Sequence, residues 1–307
     1  MNHAQKLQKQ KQLNSELEQL KQTCLLPGLN DCVRQSVFVR QLLDSIRRVS
    51  FVYTLQNRNI SQECIDPASD AFDPIKASIL LHRNGEVEEA FWLVFLATFC
   101  GKNLKKGWLM LKQFYSMLNS GQILTWEYIS NDMAQFHVWY DHNHTGITRA
   151  FGNHRKFETL KATSQEGPKR VFESYVNWVG PNLSHQQMIS DRINGIAGHN
   201  LGALFDDLYN SMNTVVRFGR ISRFDYLTML GKVGLVNIEP PETYLSSSTG
   251  PIKGARLMFG HQSADVYKSK LELFENGLSL GPMAMQVLED ALCNWQKSPT
   301  EYKLFRG

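Results

Sequence analysis

The 307-residue chain lacks the marks of several protein classes. Its cysteines are few: Cys24, Cys32, Cys64, Cys100 and Cys293, an odd number at scattered spacings. The nearest pair, Cys24 and Cys32, lies eight residues apart, without the short spacing of a zinc knuckle. No disulfide scaffold is expected, and the cysteines read as reduced thiols of a cytoplasmic protein. The longest apolar run, 90–100, is about half of the ~20 residues a membrane span needs. The start, MNHAQKLQKQKQ, is polar and holds no apolar signal region, so neither export nor a membrane anchor is expected. G-x-x-x-x-G-K-[ST] is absent, which speaks against a P-loop kinase or ATPase. G-x-G-x-x-G is absent, which speaks against a Rossmann cofactor. H-E-x-x-H, G-x-S-x-G and the zinc-deaminase signature are absent too. No cofactor and no metal are expected, and chemistry by carboxylate and water remains the simplest route.

What is present suits a large globular core. The chain is 42% hydrophobic, 11% aromatic and 20% charged, which excludes a disordered chain. The net charge of +4 is mildly basic, so nucleic acid is compatible but not required. Apolar residues recur at helical spacing over 4–23, 31–49, 72–81, 86–100, 108–118, 200–214, 222–230, 266–274 and 282–297. Residues 4–23 carry a thin stripe of Leu7, Leu13, Leu17 and Leu20. This reads as a solvated helix packed on the body, or as a dimerising coiled coil shorter than such a coil requires. The best strand pattern, 50–55, is weak. The expected class is mainly α, with an N-terminal helical region over 1–70 and a helical domain over 71–307. Within that domain, 120–182 is rich in His, Asn, Gly and aromatics and reads as irregular. From Lys102 to Arg170 there are ten Lys/Arg against five Asp/Glu, so positive charge concentrates here.

Four segments are candidates for chemistry. YLSSSTGPIKGARLMFG (244–260) has the pattern helix, hairpin, helix. Gly250 and Gly254 would let backbone amides approach a phosphate at a helix start, with Lys253 and Arg256 adding charge. The same letters also spell a common Gly-Pro helix-capping turn. In the last helix, Glu289 and Asp290 are adjacent carboxylates among apolar residues. They are either paired, for instance with Arg220 or Arg223, or set beside a sugar to stabilise an oxocarbenium-like state. FGRISRFDYL (218–227) puts Arg220 and Arg223 on one face with Asp225 near, an ion-pair cluster or a phosphate clamp. Residues 136–161 interleave His137, His142, His144, His154, Arg149, Arg155 and Lys156 with Phe136, Trp139, Tyr140, Phe151 and Phe157. That mixture suits backbone contact with base stacking. His142 and His144 lack a convincing third ligand for a metal. His185 and His199 read as structural.

Taken together, AFDPIKA (71–77), EEAFWLVFLATFCG (88–101), FHVWYD (136–141), AFGNHRKFETL (150–160), FGRISRFDYLTMLG (218–231), STGPIKGARLMFG (248–260) and MQVLEDALCNWQK (285–297) carry a resemblance. The chain resembles the alpha-glutamyl/putrescinyl thymine pyrophosphorylases of clade 3, from about residue 70 to the end. The terminal pattern of Glu289, Leu292, Cys293 and Lys297 also resembles the helical domain associated with hydroxymethyluracil DNA kinases. The resemblance implies a DNA-glycosylase-like helical fold with a helix–hairpin–helix, found with phage base hypermodification and anti-phage defence. Some relatives are described as glycosylases that excise glucosylated hydroxymethylcytosine, whereas the family name implies enzymes that build a bulky thymine.

Three readings follow. The first is a monofunctional DNA glycosylase for a modified pyrimidine in phage DNA. It would grip the backbone through Gly250–Gly254, Lys253, Arg155 and Lys156, and receive or replace the flipped base with Trp139, Tyr140 or Trp295. Asp290 would be the catalytic carboxylate, with Glu289 beside it and Asp265 in reserve. Neither aspartate sits at the distance from the hairpin familiar in such glycosylases: Asp265 is eleven residues after Gly254 and Asp290 thirty-six. The second reading is a transferase placing putrescine or glutamate on an activated hydroxymethyl pyrimidine, with Arg220 and Arg223 holding pyrophosphate. The third is a binder of modified DNA without chemistry. The oligomeric state is open.

Overall fold

The helical spacing of apolar residues resolves into fourteen α-helices among the described residues, 2–305, of the computed structural model. They are α1 (His3–Thr23), α2 (Cys32–Leu55), α3 (Pro74–Arg83), α4 (Val87–Cys100), α5 (Leu109–Tyr115), α6 (Trp126–Asn131), α7 (Met133–Asn143), α8 (Pro168–Val179), α9 (His185–Asn194), α10 (Leu201–Ser211), α11 (Arg220–Val233), α12 (Gly250–Phe259), α13 (Ala264–Gly277) and α14 (Ala284–Trp295). No strand occurs among the described residues, and extended pairing there is an isolated bridge between Asn103 and Gly107. The chain is mainly α, as expected. Residues 50–55 are not a strand but the last turns of α2, where local β-preference yields to the helix already running into it.

The helices form two compact units, one joining the described chain through Thr54 to residues 239–305, the other spanning Leu55–Ile238. This differs from the division at residue 70 read from the sequence. The reason lies in the first unit: the apolar faces of α1 and α2 are buried with those of α12–α14, from the opposite end of the chain. Leu13, Leu17 and Leu20 of α1 are buried while Leu7 is exposed, and α1 packs along α13. Three of the four leucines of the thin stripe are thus covered within the chain. Asn2 starts α1 with a capping box, exchanging 2.9 Å hydrogen bonds with Gln5.

In the same unit α12 lies against α14, and glycine makes the approach possible. A Cβ on Gly254 would run into the Leu292 carbonyl oxygen and lie 2.8 Å from its carbonyl carbon. A Cβ on Gly250 would meet Cys293 Sγ at 2.6 Å.

The second unit is built around α4, whose residues from Ala90 to Ala97 are all buried. Phe95 stacks on Tyr175 with ring centroids 3.7 Å apart, and Phe172 meets Trp92 edge-on at 5.3 Å. Two carboxylates at the start of α4 each cap another helix. Glu88 accepts from Ser184 Oγ (2.8 Å), from His185 N (2.7 Å) and from Gln186 N (3.2 Å) at the start of α9. Glu89 accepts from Trp126 N at the start of α6 and from Tyr115 Oη, both at 2.6 Å. Burial pushes Glu89 up to about 7. The region 120–182 is less irregular than its sequence suggests, for it contains α6, α7 and α8. Its weak periodicity reflects buried aromatics such as Phe136 and Tyr140, packed against Phe172 of α8 and Phe114 of α5, interrupted by exposed polar residues.

Glu88 also ends a buried hydrogen-bonded chain. His185 Nδ1 lies 2.5 Å from Glu88, His185 Nε2 2.7 Å from Tyr175 Oη, and Tyr175 Oη 2.7 Å from Tyr226 Oη. The arrangement that satisfies each group has Tyr226 donating to Tyr175, Tyr175 to Nε2, and Nδ1–H to Glu88. Burial raises the Glu88 pKa, but the hydrogen bonds and charge of His185 and the Ser184 hydroxyl outweigh it and hold it at about 2. Burial lowers the His185 pKa, which keeps the ring neutral at pH 7, so hydrogen bonds rather than an ion pair carry this effect there. A carboxylate held below its unfolded value stabilises the fold above that value and loses its contribution as pH falls toward 2. Glu88→Gln should lower stability by roughly 2 kcal/mol at pH 7, through the charge-assisted hydrogen bonds lost at Ser184 and the α9 amides, and the wild-type protein should lose stability as pH falls from 4.5 toward 2. Urea midpoints of both proteins across that range check this.

Candidate nucleic-acid interface

Two loops of the second unit meet where α4 ends. Gly101 has φ +64°, open to glycine, and its backbone touches Gly152: a Cβ on Gly101 would lie 2.9 Å from Gly152 Cα. Gly152 N donates to Cys100 O, and Asn103 Nδ2 donates to Phe151 O, both at 2.9 Å. Loop 102–107 is thereby tied to loop 151–157. Lys102, Lys105, Lys106, His154 and Lys156 are exposed on this pair. So are two apolar side chains, Leu104 at 68% and Phe157 at 80%.

Behind the loops lies a charged network. Arg155 is buried: it donates to Phe99 O (3.3 Å), to Arg217 O (3.4 Å) and to Ser222 Oγ, and lies 5.2 Å over the Phe218 ring. Glu158, also buried, accepts from Arg217 Nε at 2.8 Å. Half-exposed His154 donates through Nδ1 to Asp225, 3.2 Å away on α11. The structure thus joins AFGNHRKFETL to FGRISRFDYL, two segments singled out separately in the sequence. AFDPIKA joins as well, since Asp73 caps α3 at Ile75 N and Lys76 N, accepts from Trp108 Nε1 at 3.3 Å, and lies 3.9 Å from Lys102.

Other expected site residues serve different purposes. Arg155 is not an exposed phosphate contact but a buried strut, whereas Lys156 is exposed with its ammonium 5.0 Å from the Phe157 ring. Tyr140 is fully buried and donates to Leu160 O at 2.8 Å, so it offers no face to a base. Trp295 is fully buried in the first unit, donating to Arg34 O at 3.1 Å and set edge-on to Phe38. Trp139 is half-buried beside Phe136. Arg223 spends its guanidinium on Tyr209, at 2.9 Å from the carbonyl oxygen and 4.3 Å from the ring. Arg220 lies over Phe224 at 5.6 Å.

In the first unit, the Cα atoms of Gly250 and Gly254 face α14, while Lys253 and Arg256 are exposed. The segment before α12 is a 3-10 turn, Leu245–Ser247, rather than the expected short helix. Asp290 is gripped by Arg48 and by Asn294 Nδ2 at 2.8 Å, so its ion pair is with Arg48 and not with Arg220 or Arg223. Glu289 is half-buried beside it, and Asp265 is exposed in the first turn of α13. His142 and His144 turn their Nδ1 atoms back to Val138 O (2.7 Å) and Tyr140 O (3.2 Å). Sequence reasoning passed over Asp225 as the partner of His154, and Arg217 altogether. It counted the lysines of KNLKKG without placing them, although a charge run just after a helix-ending glycine is a legible loop signal.

The loop pair of the second unit is basic and carries two exposed apolar side chains, Leu104 and Phe157. The family model for alpha-glutamyl/putrescinyl thymine pyrophosphorylase, clade 3, matches residues 33–307, and the chain belongs to that family. The family's name ties it to enzymes of modified bases. No curated protein and no solved structure matches the chain. No helix among the described residues is long and apolar enough to cross a membrane.

Proposed function

We propose that the protein binds DNA bearing a modified pyrimidine and cleaves that base from its sugar as a glycosylase, in defence against phage. The observation that carries this reading is Asp225, a half-exposed carboxylate paired with His154 at 3.2 Å, directly behind loops bearing four exposed lysines. The lysines would neutralise phosphates. With the nucleotide flipped out, the C1′–N bond breaks, its electron pair leaves with the base, and the sugar gains oxocarbenium character. A carboxylate beside the sugar stabilises that charge and directs the water that adds to C1′. Asp290, held by Arg48, is better explained as structural, so the catalytic role moves to Asp225.

A second reading is the transferase the family name describes. The exposed lysines of the two loops, Lys102, Lys105, Lys106 and Lys156, would then hold the anionic leaving group. An amine would attack the exocyclic methylene of the base, pyrophosphate would leave, and Asp225 would take the amine proton.

Incubating the protein with genomic DNA from phages of differing base modification separates the two. A free modified base with matching abasic sites supports the glycosylase. Pyrophosphate released from DNA with an activated base supports the transferase, and binding without product supports neither. The grip is tested independently: Lys105→Ala/Lys106→Ala should lower the slope of log affinity against log salt by about 2.

A further inference from the structure

We infer that Phe157 is the side chain that enters the DNA stack and fills the space left by the flipped nucleotide. This rests on the DNA reading above and adds to it the residue that opens the duplex. An aromatic ring exposed to 80% is costly in water, and here the loop holds it there from several sides. One guanidinium group, Arg149 Nη2, donates to the carbonyls on either side of Phe157, at 2.6 Å to Lys156 O and 3.0 Å to Glu158 O. The flanking side chains of Arg155 and Glu158 are buried, the first bound to Ser222 and Phe99 O, the second to Arg217. Tyr140 anchors the loop further along through Leu160 O. The backbone of the tip is therefore fixed while its ring has no core to enter. Lys156, with its ammonium 5.0 Å from the ring, would place positive charge at a phosphate next to the inserted ring. Apolar and aromatic wedges flanked by basic residues are how proteins unstack a base step, and a ring carried on a fixed backbone loses less freedom in doing so.

The experiment uses full-length protein and two labelled duplexes, one fully matched and one with a single tetrahydrofuran abasic analogue that leaves a gap in the stack. Wild-type protein should bind the gapped duplex about tenfold more tightly, the usual scale of one stacking contact. Phe157→Ala should bring the two affinities within about twofold of each other while leaving the matched-duplex affinity nearly intact, and Phe157→Trp should keep the preference. Gap preference retained in Phe157→Ala overturns the inference. Equal loss on both duplexes does too, because it marks a structural role in the loop. Wild-type binding indifferent to the gap overturns this inference alone and leaves the DNA reading standing. No binding to either duplex overturns both, and binding to phosphatidylserine vesicles in its place assigns the loops to a membrane surface.

Discussion

Gly254→Ala should destabilise the protein by about 3 kcal/mol, near the upper end of what forced overpacking costs. Alanine in a helix interior is worth about 1 kcal/mol over glycine, so the expectation from α12 alone has the opposite sign. The contact decides. The new methyl would meet the Leu292 carbonyl oxygen of α14, with the carbonyl carbon 2.8 Å away, and a backbone carbonyl within a helix cannot rotate aside. α12 must back away from α14, and the core around Ala255, Met258, Leu288 and Leu292 loosens with it. Gly250→Ala meets Cys293 Sγ, a side-chain atom that can turn away, so its loss should be smaller. Urea unfolding midpoints of the three proteins test this. If the glycines instead served to bring backbone amides to a phosphate, Gly254→Ala would weaken DNA binding and leave the midpoint unchanged or raised.

That pair of glycines shows where sequence reading stops. A phosphate and a neighbouring helix both demand the absence of a Cβ, and the letters GPIKG serve either. The helices themselves were legible because their signals are local: the acidic first turn and unbroken apolar run of α4, the Asp73 cap and Pro74 that open α3, the apolar face of α14. The site was legible only as parts. Glu88 and Glu89 read as an ordinary first turn, yet their acceptor atoms serve amides 97 and 37 residues onward. Asp290 was recognised as needing a partner, but Arg48 lies 242 residues away, where no spacing rule reaches. Arg155 reads as a backbone contact because it stands among basic and aromatic residues, and only the carbonyls, the Ser222 hydroxyl and Glu158 around it make its burial tolerable.

The largest functional effect should come from Asp225→Asn. If this carboxylate stabilises the developing charge on the sugar, its neutral isostere should slow base release by roughly 100- to 1,000-fold, the scale seen when one electrostatic contributor is removed. Stability should change by under about 0.5 kcal/mol, because Asp225 and His154 are both half-exposed and such pairs contribute little. Affinity for DNA should hold or rise slightly, since the substitution removes a negative charge beside a phosphate-binding surface. Asp290→Asn is the matched control. It breaks the contact with Arg48 in the first unit and should cost stability but leave the rate per folded molecule unchanged. Single-turnover release of the modified base, measured with all three proteins at saturating enzyme, separates chemistry from binding. The reverse pattern, with Asp290→Asn inert and Asp225→Asn active, would return the catalytic carboxylate to α14. A loss confined to affinity in Asp225→Asn would make the His154 pair part of the grip and leave the reaction without its carboxylate.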